Sequence, residues 1–500
     1  MTEYITHKFI KPNQVESREY QVSLANQAKS ENCLIVLPTG LGKTTVALQV
    51  IAEYLSRGTG GVLFLAPTRV LTNQHYEFLK NNLNLDDIGL LTGEDTLAKR
   101  KKSWANSVIC ATPEITKNDL DRGIVSVDQF SLVIFDEAHR TIGDYAYSGI
   151  AQRFAGKNVR IMGMTATLPA EKDKATEIIT TLRIANVAQK TEDSPDVAPH
   201  IQKTNTNWVK VDLPQEMKEV QFYLRKALEV RHHELTKCGL RLSANVSLSQ
   251  LLRARDFVIR QNRRAAKPLF TAIRLHYALN ILESHGVTSF LRFCDRTREK
   301  KGVGIKDLFE NDSNFIRALA YAKDAQKKGI EHSKIVKLAE IIKGLSGRAI
   351  VFTSYRDSVE IIHDKLVNLG VSAGFLIGKA GETGLKQKQQ VETVQKFRDG
   401  KYQVLIATRV GEEGLDISEV NDVIFFDNVP SSIRFVQRKG RTGRKSAGNL
   451  TVLIAKGTID EAYYWVGQRK MKSAQTMGER LTKDLQKQSE NTPAGLDAYF

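Results

Sequence analysis

The sequence predicts an α/β protein with two parallel-sheet domains and a helical domain inserted between them. Three observations lead there. Short apolar runs alternate with amphipathic stretches from Cys33 to about Thr165. The same alternation returns after residue 345. The stretch between, about 205–330, carries long helical patterns and few strand signals.

In the first half, CLIVL (33–37), GVLFLA (61–66), SVICAT (107–112), SLVIF (131–135) and VRIMGMT (159–165) read as strands. Each is almost continuously apolar, as parallel strands covered on both faces must be. TTVALQVIAEYLSR (44–57) is a helical pattern between two of them. In the second half the strand runs are RAIVFT (348–353), SAGFLIG (372–378), YQVLIAT (402–408), DVIFF (422–426) and NLTVLIA (449–455). RDSVEIIHDKLVNLG (356–370) is an amphipathic helix that stops on a glycine. The boundaries expected are 1–204, 205–330 and 331–472, followed by a polar tail at 473–500 that starts helical and ends loose.

Charge narrows the partners. Lys and Arg number 73 against 56 Asp and Glu, a formal +17, and a protein this basic usually meets a polyanion. The stretch 205–330 holds 24 of those cations and 13 of the acids, a net +11. Within it, Arg253, Arg260, Arg264 and Lys267 are spaced seven, four and three apart and would share one face of a helix. A solvated outer face is the alternative; few local acids compensate, which favours phosphate contact. Four scattered cysteines without a CxxC pair argue against a zinc ribbon or a disulfide framework. No long apolar run resembles a signal peptide or a membrane span, so a cytoplasmic, nucleoid-associated protein is expected, or a nuclear one in a eukaryote.

PTGLGKTT (38–45) follows a strand and opens a helix, the context a phosphate-binding loop requires. Thr39, Gly40 and Gly42 would let backbone N–H groups close on phosphate oxygens, with Thr45 in the first helical turn. Lys43 would reach the β and γ phosphates of ATP, and the Thr44 hydroxyl would bind Mg²⁺. The strict pattern has glycine at position 37, where this chain has Leu37. SLVIFDEAHR (131–140) ends a strand on two carboxylates. Asp136 would hold Mg²⁺ and Glu137 would polarise the attacking water. His139 would link this site to the second domain; a structural hydrogen bond is its blander role. FVQRKGRTGR (435–444) sets Arg438, Arg441 and Arg444 three apart, and Arg441 and Arg444 are the candidates for fingers that stabilise charge on the transferring phosphoryl group. A basic nucleic-acid patch is the alternative.

SREYQ, PTGLGKTT, APTR, TPE, DEAH, TAT, VFTSYR, ATRVGEEGLDI and QRKGRTGR occur in the order of superfamily-2 helicase motifs, from about residue 17 to 444. The DEAH box, the EEGLDI form and the long insert resemble archaeal Hef-type helicases and their eukaryotic Fanconi-anaemia M-type relatives. That resemblance implies two RecA-like domains with a thumb-like insert that grips duplex or branched nucleic acid. It implies that Gln21 reads adenine and that Asp416 and Gln437 contact the nucleotide from the second domain. Thr165 and Thr167 would couple hydrolysis to strand binding. Thr68, Arg69, Thr112, Glu114, Ser354, Tyr355 and Thr408 would contact the strand. It further implies 3′→5′ movement on forked or branched DNA in repair, with an RNA-duplex motor of the Dicer or RNA-sensor kind as the alternative. The strand is expected to lie away from the edge that binds nucleotide. ERLTKD (479–484) lacks the lysine of the family's nuclease signature, so no nuclease is expected. PAGLDAYF resembles a sliding-clamp peptide through Leu496, Tyr499 and Phe500, with Pro493 where the leading glutamine belongs.

Overall fold

The computed structural model describes residues 3–490 apart from 94, 202–203, 244–245, 379–383, 413–416, 418–419 and 443–447. Asp416, Arg444, Leu496, Tyr499 and Phe500 therefore lie outside the described residues.

The apolar runs of the first half become β1 (Cys33–Val36), β2 (Gly61–Leu65), β4 (Val108–Ala111), β5 (Phe130–Phe135) and β6 (Arg160–Thr165). Two further strands, β3 (Ile88–Leu91) and β7 (Asn186–Gln189), complete a seven-stranded sheet of order β3-β4-β2-β5-β6-β1-β7. All pairings in it are parallel. Parallel pairing puts every carboxyl end at one edge, where α/β sheets bind ligands. Helices cover both faces, and two apolar clusters fill the space between them and the sheet.

The second sheet has six strands in the order β10-β11-β9-β12-β13-β8. They are β8 (Thr204–Val211), β9 (Ala349–Phe352), β10 (Ala373–Leu376), β11 (Val404–Ala407), β12 (Asp422–Phe425) and β13 (Gly448–Ala455). β8 corrects an expectation: residues 204–211 fall among the supposed insert but run parallel to β13 as an edge strand. Their alternation TNTNWVKV, with Trp208 exposed, fits an edge with one wet face.

Between the sheets, helices including Gln215–Lys237, Ala266–His285 and Ser313–Lys327 pack around one apolar cluster. Here a second expectation fails. The helix Leu248–Gln261 ends before Asn262, which leaves helical geometry at φ −138°, ψ 63° and donates its side-chain amide to Cys238 O at 2.8 Å. Arg253 and Arg260 are on that helix, Arg264 is in the 3₁₀ turn Arg263–Ala265, and Lys267 opens Ala266–His285. The four cations do not share one helical face.

The expected polar tail is a third correction. Ile459–Glu490 is one helix that passes residue 472 unbroken and returns to the first sheet. Ala474, Met477 and Leu481, spaced three and four apart, are buried, the last two in the first domain's core. Among the described residues no helix is long and apolar enough to cross a membrane, no group of three metal-ligating side chains occurs, and all four cysteines are free.

Candidate nucleotide and nucleic-acid sites

β1 delivers the chain into the loop 37–42, and Lys43–Arg57 begins immediately after it. Gly40 and Gly42 both sit at φ 84°, which costs other residues steric strain. A methyl group on Gly42 would also collide with Gln21 Nε2. Gln21 donates that nitrogen to Leu41 O at 2.9 Å. Its Oε1 is buried without a hydrogen-bond partner. A lone buried acceptor beside a phosphate loop suits the exocyclic amine of a purine. Lys43 Nζ donates to Leu37 O at 3.0 Å, across the loop it would share with phosphate. Leu37 itself is buried in the first core cluster, so the departure from glycine there serves packing.

β5 ends at Phe135, and Asp136 follows it at the same edge. His75 Nε2 lies 2.8 Å from Asp136 Oδ2. Burial raises the carboxyl pKa, but the charges of His75 and Lys43 and the bonds from His75 and the Glu137 backbone outweigh it and hold Asp136 below its ordinary value. An ionised carboxylate that feels the Lys43 charge at the end of the phosphate loop is the kind of oxygen ligand Mg²⁺ prefers. Tyr147 OH lies 2.8 Å from Asp136 O; burial, then the Asp136 charge, raises its pKa well above the usual value and keeps it a neutral donor.

Glu137 adopts φ 50°, ψ 51°, a left-handed conformation uncommon outside glycine and asparagine. Such strain is held by surrounding structure and clusters at working sites. His139 Nδ1 is 3.3 Å from Glu137 Oε2 and 3.2 Å from Thr165 Oγ1. Thr165 in turn donates to Thr167 O at 2.9 Å. The histidine thus touches the carboxylate and the TAT segment, and it lines a cavity of about 410 Å³ together with Arg409, Pro430 and Ser431 of the second lobe.

Across from the loop lies the segment after Ser432–Lys439. A cavity of about 480 Å³ is lined by Pro38, Thr39, Gly40 and Leu41 on one side and Lys439, Gly440 and Thr442 on the other. A methyl group on Gly440 would overlap Thr39 Oγ1 and sit 2.9 Å from Thr39 Cβ. Lys439 Nζ reaches Glu192 at 2.8 Å. Arg441 lies between Gly440 and Thr442, and its guanidinium donates to Glu412 O of its own lobe at 2.7 Å. Gln437 is buried beneath it. Arg438 is fully buried, bound to Glu412 Oε1 at 2.7 Å and stacked over Phe352 and Phe425, so it organises the lobe from inside. Arg434 holds the same carboxylate in bidentate fashion at 2.7 and 2.8 Å.

A second cavity, about 710 Å³, also opens between the lobes. Thr68, Arg69, Thr112 and Glu114 line it with Arg100, Arg122, Gln387 and Gln390. Thr68 and Thr112 follow β2 and β4, so these residues sit at the same carboxyl edge as the nucleotide loop, further along it. The candidate strand contacts Thr68, Arg69, Thr112 and Glu114 thus lie along this edge rather than away from it. Ser354, Tyr355 and Thr408 do not line the cavity. Asp427 holds Ser354 through its N–H and hydroxyl, Tyr355 packs 4.4 Å from the His285 ring, and Thr408 donates to Leu376 O at 3.4 Å. His75, Tyr147 and Asp427 carry no motif signal, whereas Glu412 opens the EEGLDI string; only the fold brings the four to these sites.

Residues 18–175 match the DEAD/DEAH box helicase family and 333–446 match the helicase conserved C-terminal domain. The crystal structure of the Pyrococcus furiosus Hef helicase domain is 37% identical, with TM-score 0.67, covering 90% of this chain and 97% of that one. A putative ATP-dependent RNA helicase of Methanocaldococcus jannaschii is 38% identical over 92% of this chain and 60% of its own length. The ATP-dependent DNA helicase mph1 of Neurospora crassa is 32% identical over 89% and 41%. The Fanconi anemia group M protein of Gallus gallus is 31% identical over 91% and 26%. The chain therefore spans less than two thirds of each of these three relatives. With both helicase regions present and the Hef helicase domain matched over nearly its whole length, the chain belongs to the DEAD/DEAH-box helicases of the Hef, Mph1 and Fanconi-anaemia M group.

Proposed function

We propose that this ATP-dependent helicase moves 3′→5′ along one strand and remodels forked or branched DNA. The observation that carries the reading is the 480 Å³ cleft in which the loop 38–41 of one lobe meets Lys439, Gly440 and Thr442 of the other. A triphosphate gripped by the first lobe is then within reach of the second.

Lys43 binds the β and γ phosphates, Gln21 reads the base, and Thr44 and Asp136 hold Mg²⁺. The metal, when bound, neutralises charge on the phosphate oxygens. Glu137 accepts a proton from the attacking water as the γ-phosphorus–oxygen bond to ADP breaks. Arg441 and Arg444 stabilise the charge that develops on the phosphoryl group, Arg441 leaving the Glu412 carbonyl to do so. Asp416 and Gln437 complete the second lobe's contacts. His139 passes the state of Glu137 to Thr165 and Thr167. The strand lies in the 710 Å³ cavity on Thr68, Arg69, Thr112 and Glu114, and the insert's arginines take the duplex arm. Ser354, Tyr355 and Thr408 support the lobe behind it.

DNA is favoured by the Neurospora relative, named a DNA helicase; the RNA reading is favoured by the Methanocaldococcus relative, named a putative RNA helicase. ATPase stimulation by a fork, a four-way junction, linear DNA and duplex RNA tests the choice. Forked DNA should stimulate most; equal or greater stimulation by RNA overturns the DNA reading.

A further inference from the structure

The cations of the insert fall into two sets. Arg225, Arg231, Arg292 and Arg296 are held by Glu283, Asp312, Glu360 and Asp357 at 2.6–3.0 Å. Arg253, Arg255, Arg260, Arg263 and Arg264 are exposed and form no ion pair among the described residues. Arg253 reaches only Ser249 O of its own helix, at 3.3 Å. Asp256 is the lone acid from 248 to 267.

The helix that carries the first three, Leu248–Gln261, buries only Leu251 and Val258. It leaves Leu252, Phe257 and Ile259 at 41%, 50% and 44% exposure. Large apolar side chains gathered on one short helix mark a contact surface. Phe257 lies four residues after Arg253 and three before Arg260, so the three share a face. Guanidinium groups suit phosphate oxygens, and an aromatic ring between them suits the face of a base. A lipid surface or an acidic protein would match the charge but would not call for a ring set between two arginines.

We propose that Leu248–Gln261 is a wedge for the end of a duplex. Phe257 meets the open face of the terminal base pair at a single-strand–double-strand junction. Arg253 and Arg260 take the phosphates on either side, and Arg263 and Arg264 the next ones along the duplex. The proposal rests on the reading of the insert as a nucleic-acid grip and adds what the grip recognises.

A DNA fork with 2-aminopurine at the junction tests it, using the full chain without ATP. Wild-type binding should raise the probe's fluorescence as the terminal pair opens. Phe257→Ala should lose most of that rise, Phe257→Tyr should keep it, and both should melt at the wild-type temperature. Replacing Arg253, Arg260, Arg263 and Arg264 by Gln should lower the slope of log affinity against log salt by about 3–4, at about 0.9 per phosphate contact. If Phe257→Ala keeps the full signal while the arginine variant loses slope, the wedge is overturned and the grip stands. If the arginine variant keeps its slope and fork affinity, the grip itself is overturned, and the apolar face belongs to a different partner.

Discussion

Gly440→Ala tests a tight approach between the lobes at the nucleotide loop. Gly440 sits at φ −66°, a conformation alanine adopts freely, so the substitution adds no backbone strain. What it adds is one methyl group in overlap with Thr39 Oγ1 and 2.9 Å from Thr39 Cβ. Overpacking of a tight contact costs about 1–3 kcal/mol. Most of the cost falls on the closed arrangement, because separating the lobes removes the Thr39 overlap and leaves a 3.1 Å approach to Val436 O of the same lobe. With each 1.36 kcal/mol worth tenfold, kcat/KM for ATP should fall by roughly five- to 150-fold. The melting temperature should barely move, since neither lobe's core is touched. Steady-state ATPase kinetics with saturating single-stranded DNA, run beside a thermal melt, reads both quantities. Wild-type kinetics in Gly440→Ala would mean that hydrolysis does not use this closed arrangement, and the two-lobe reading of the cleft would fail with it.

Lys43→Ala should abolish ATPase activity yet bind forked DNA within about threefold of wild type, because the lysine is at the opposite end of the edge from the strand cavity; retained hydrolysis would refute the phosphate-loop assignment. His75→Ala removes the side chain bound to Asp136 at 2.8 Å, and loss of such a supporting partner costs about 10- to 100-fold in metal affinity; a Mg²⁺ titration of ATPase should show it, with His75→Gln partly restoring. The buried His285 imidazole gives a pH prediction. Burial first, then Lys334, outweighs the Asp427 charge and lowers its pKa from 6.5 to about 4. The unfolded chain therefore takes up a proton that the folded chain refuses as pH falls. Stability is fully present above about 6.5 and should decline by about 1.4 kcal/mol per pH unit down to about 4. His285→Gln should flatten that part of a stability–pH curve from denaturant melts; an unchanged slope would assign the loss to other groups.

Ten of the thirteen strands are legible as apolar runs because both of their faces are covered. The three that escape are at sheet edges or next to them in solvent. β3 alternates buried with half-buried residues, β7 buries only its two central residues, and β8 is mostly polar, so none forms a continuous run. The nucleotide loop and the DEAH strand end are legible because their chemistry is local. Five or six residues in sequence present the glycines, the lysine and the paired carboxylates. His75 is not legible, since it reaches Asp136 from six residues past Arg69 through a helix that only the folded sheet aligns. The face drawn through Arg253, Arg260, Arg264 and Lys267 fails for a local reason as well: helical spacing assumes a continuous helix, and Asn262 interrupts it. The docking of the C-terminal helix is not legible because its buried side, Ala474, Met477 and Leu481, is a narrow stripe among charged residues.

The contacts fix which parts separate most cheaply. Between the insert and the second lobe the polar groups are buried and shared. Asp427 accepts from Thr353, Ser354 and Arg438 and lies 3.7 Å from His285 of the insert. Lys334 bonds both Phe426 O and Asp460, and Asp460 accepts from Ser284 of the insert. Pulling these apart would strip hydrogen bonds from buried charged groups, at about 1.5–3 kcal/mol each. Between the two lobes the ion pairs are of another kind: Lys439–Glu192, Lys470–Glu171 and Lys172–Asp484 are all partly exposed. Pairs of this sort contribute about 0–1 kcal/mol each and give way readily to water. The cleft is therefore the weak plane, and the insert travels with the second lobe. Ile459–Glu490 spans that plane with the buried apolar side chains Met477 and Leu481, so it keeps the first lobe in register while the cleft face is free to open. On the proposed grip, movement at the nucleotide loop would displace the insert's arginine-rich helix as a rigid attachment, and so would carry a change at one phosphate to a duplex held elsewhere.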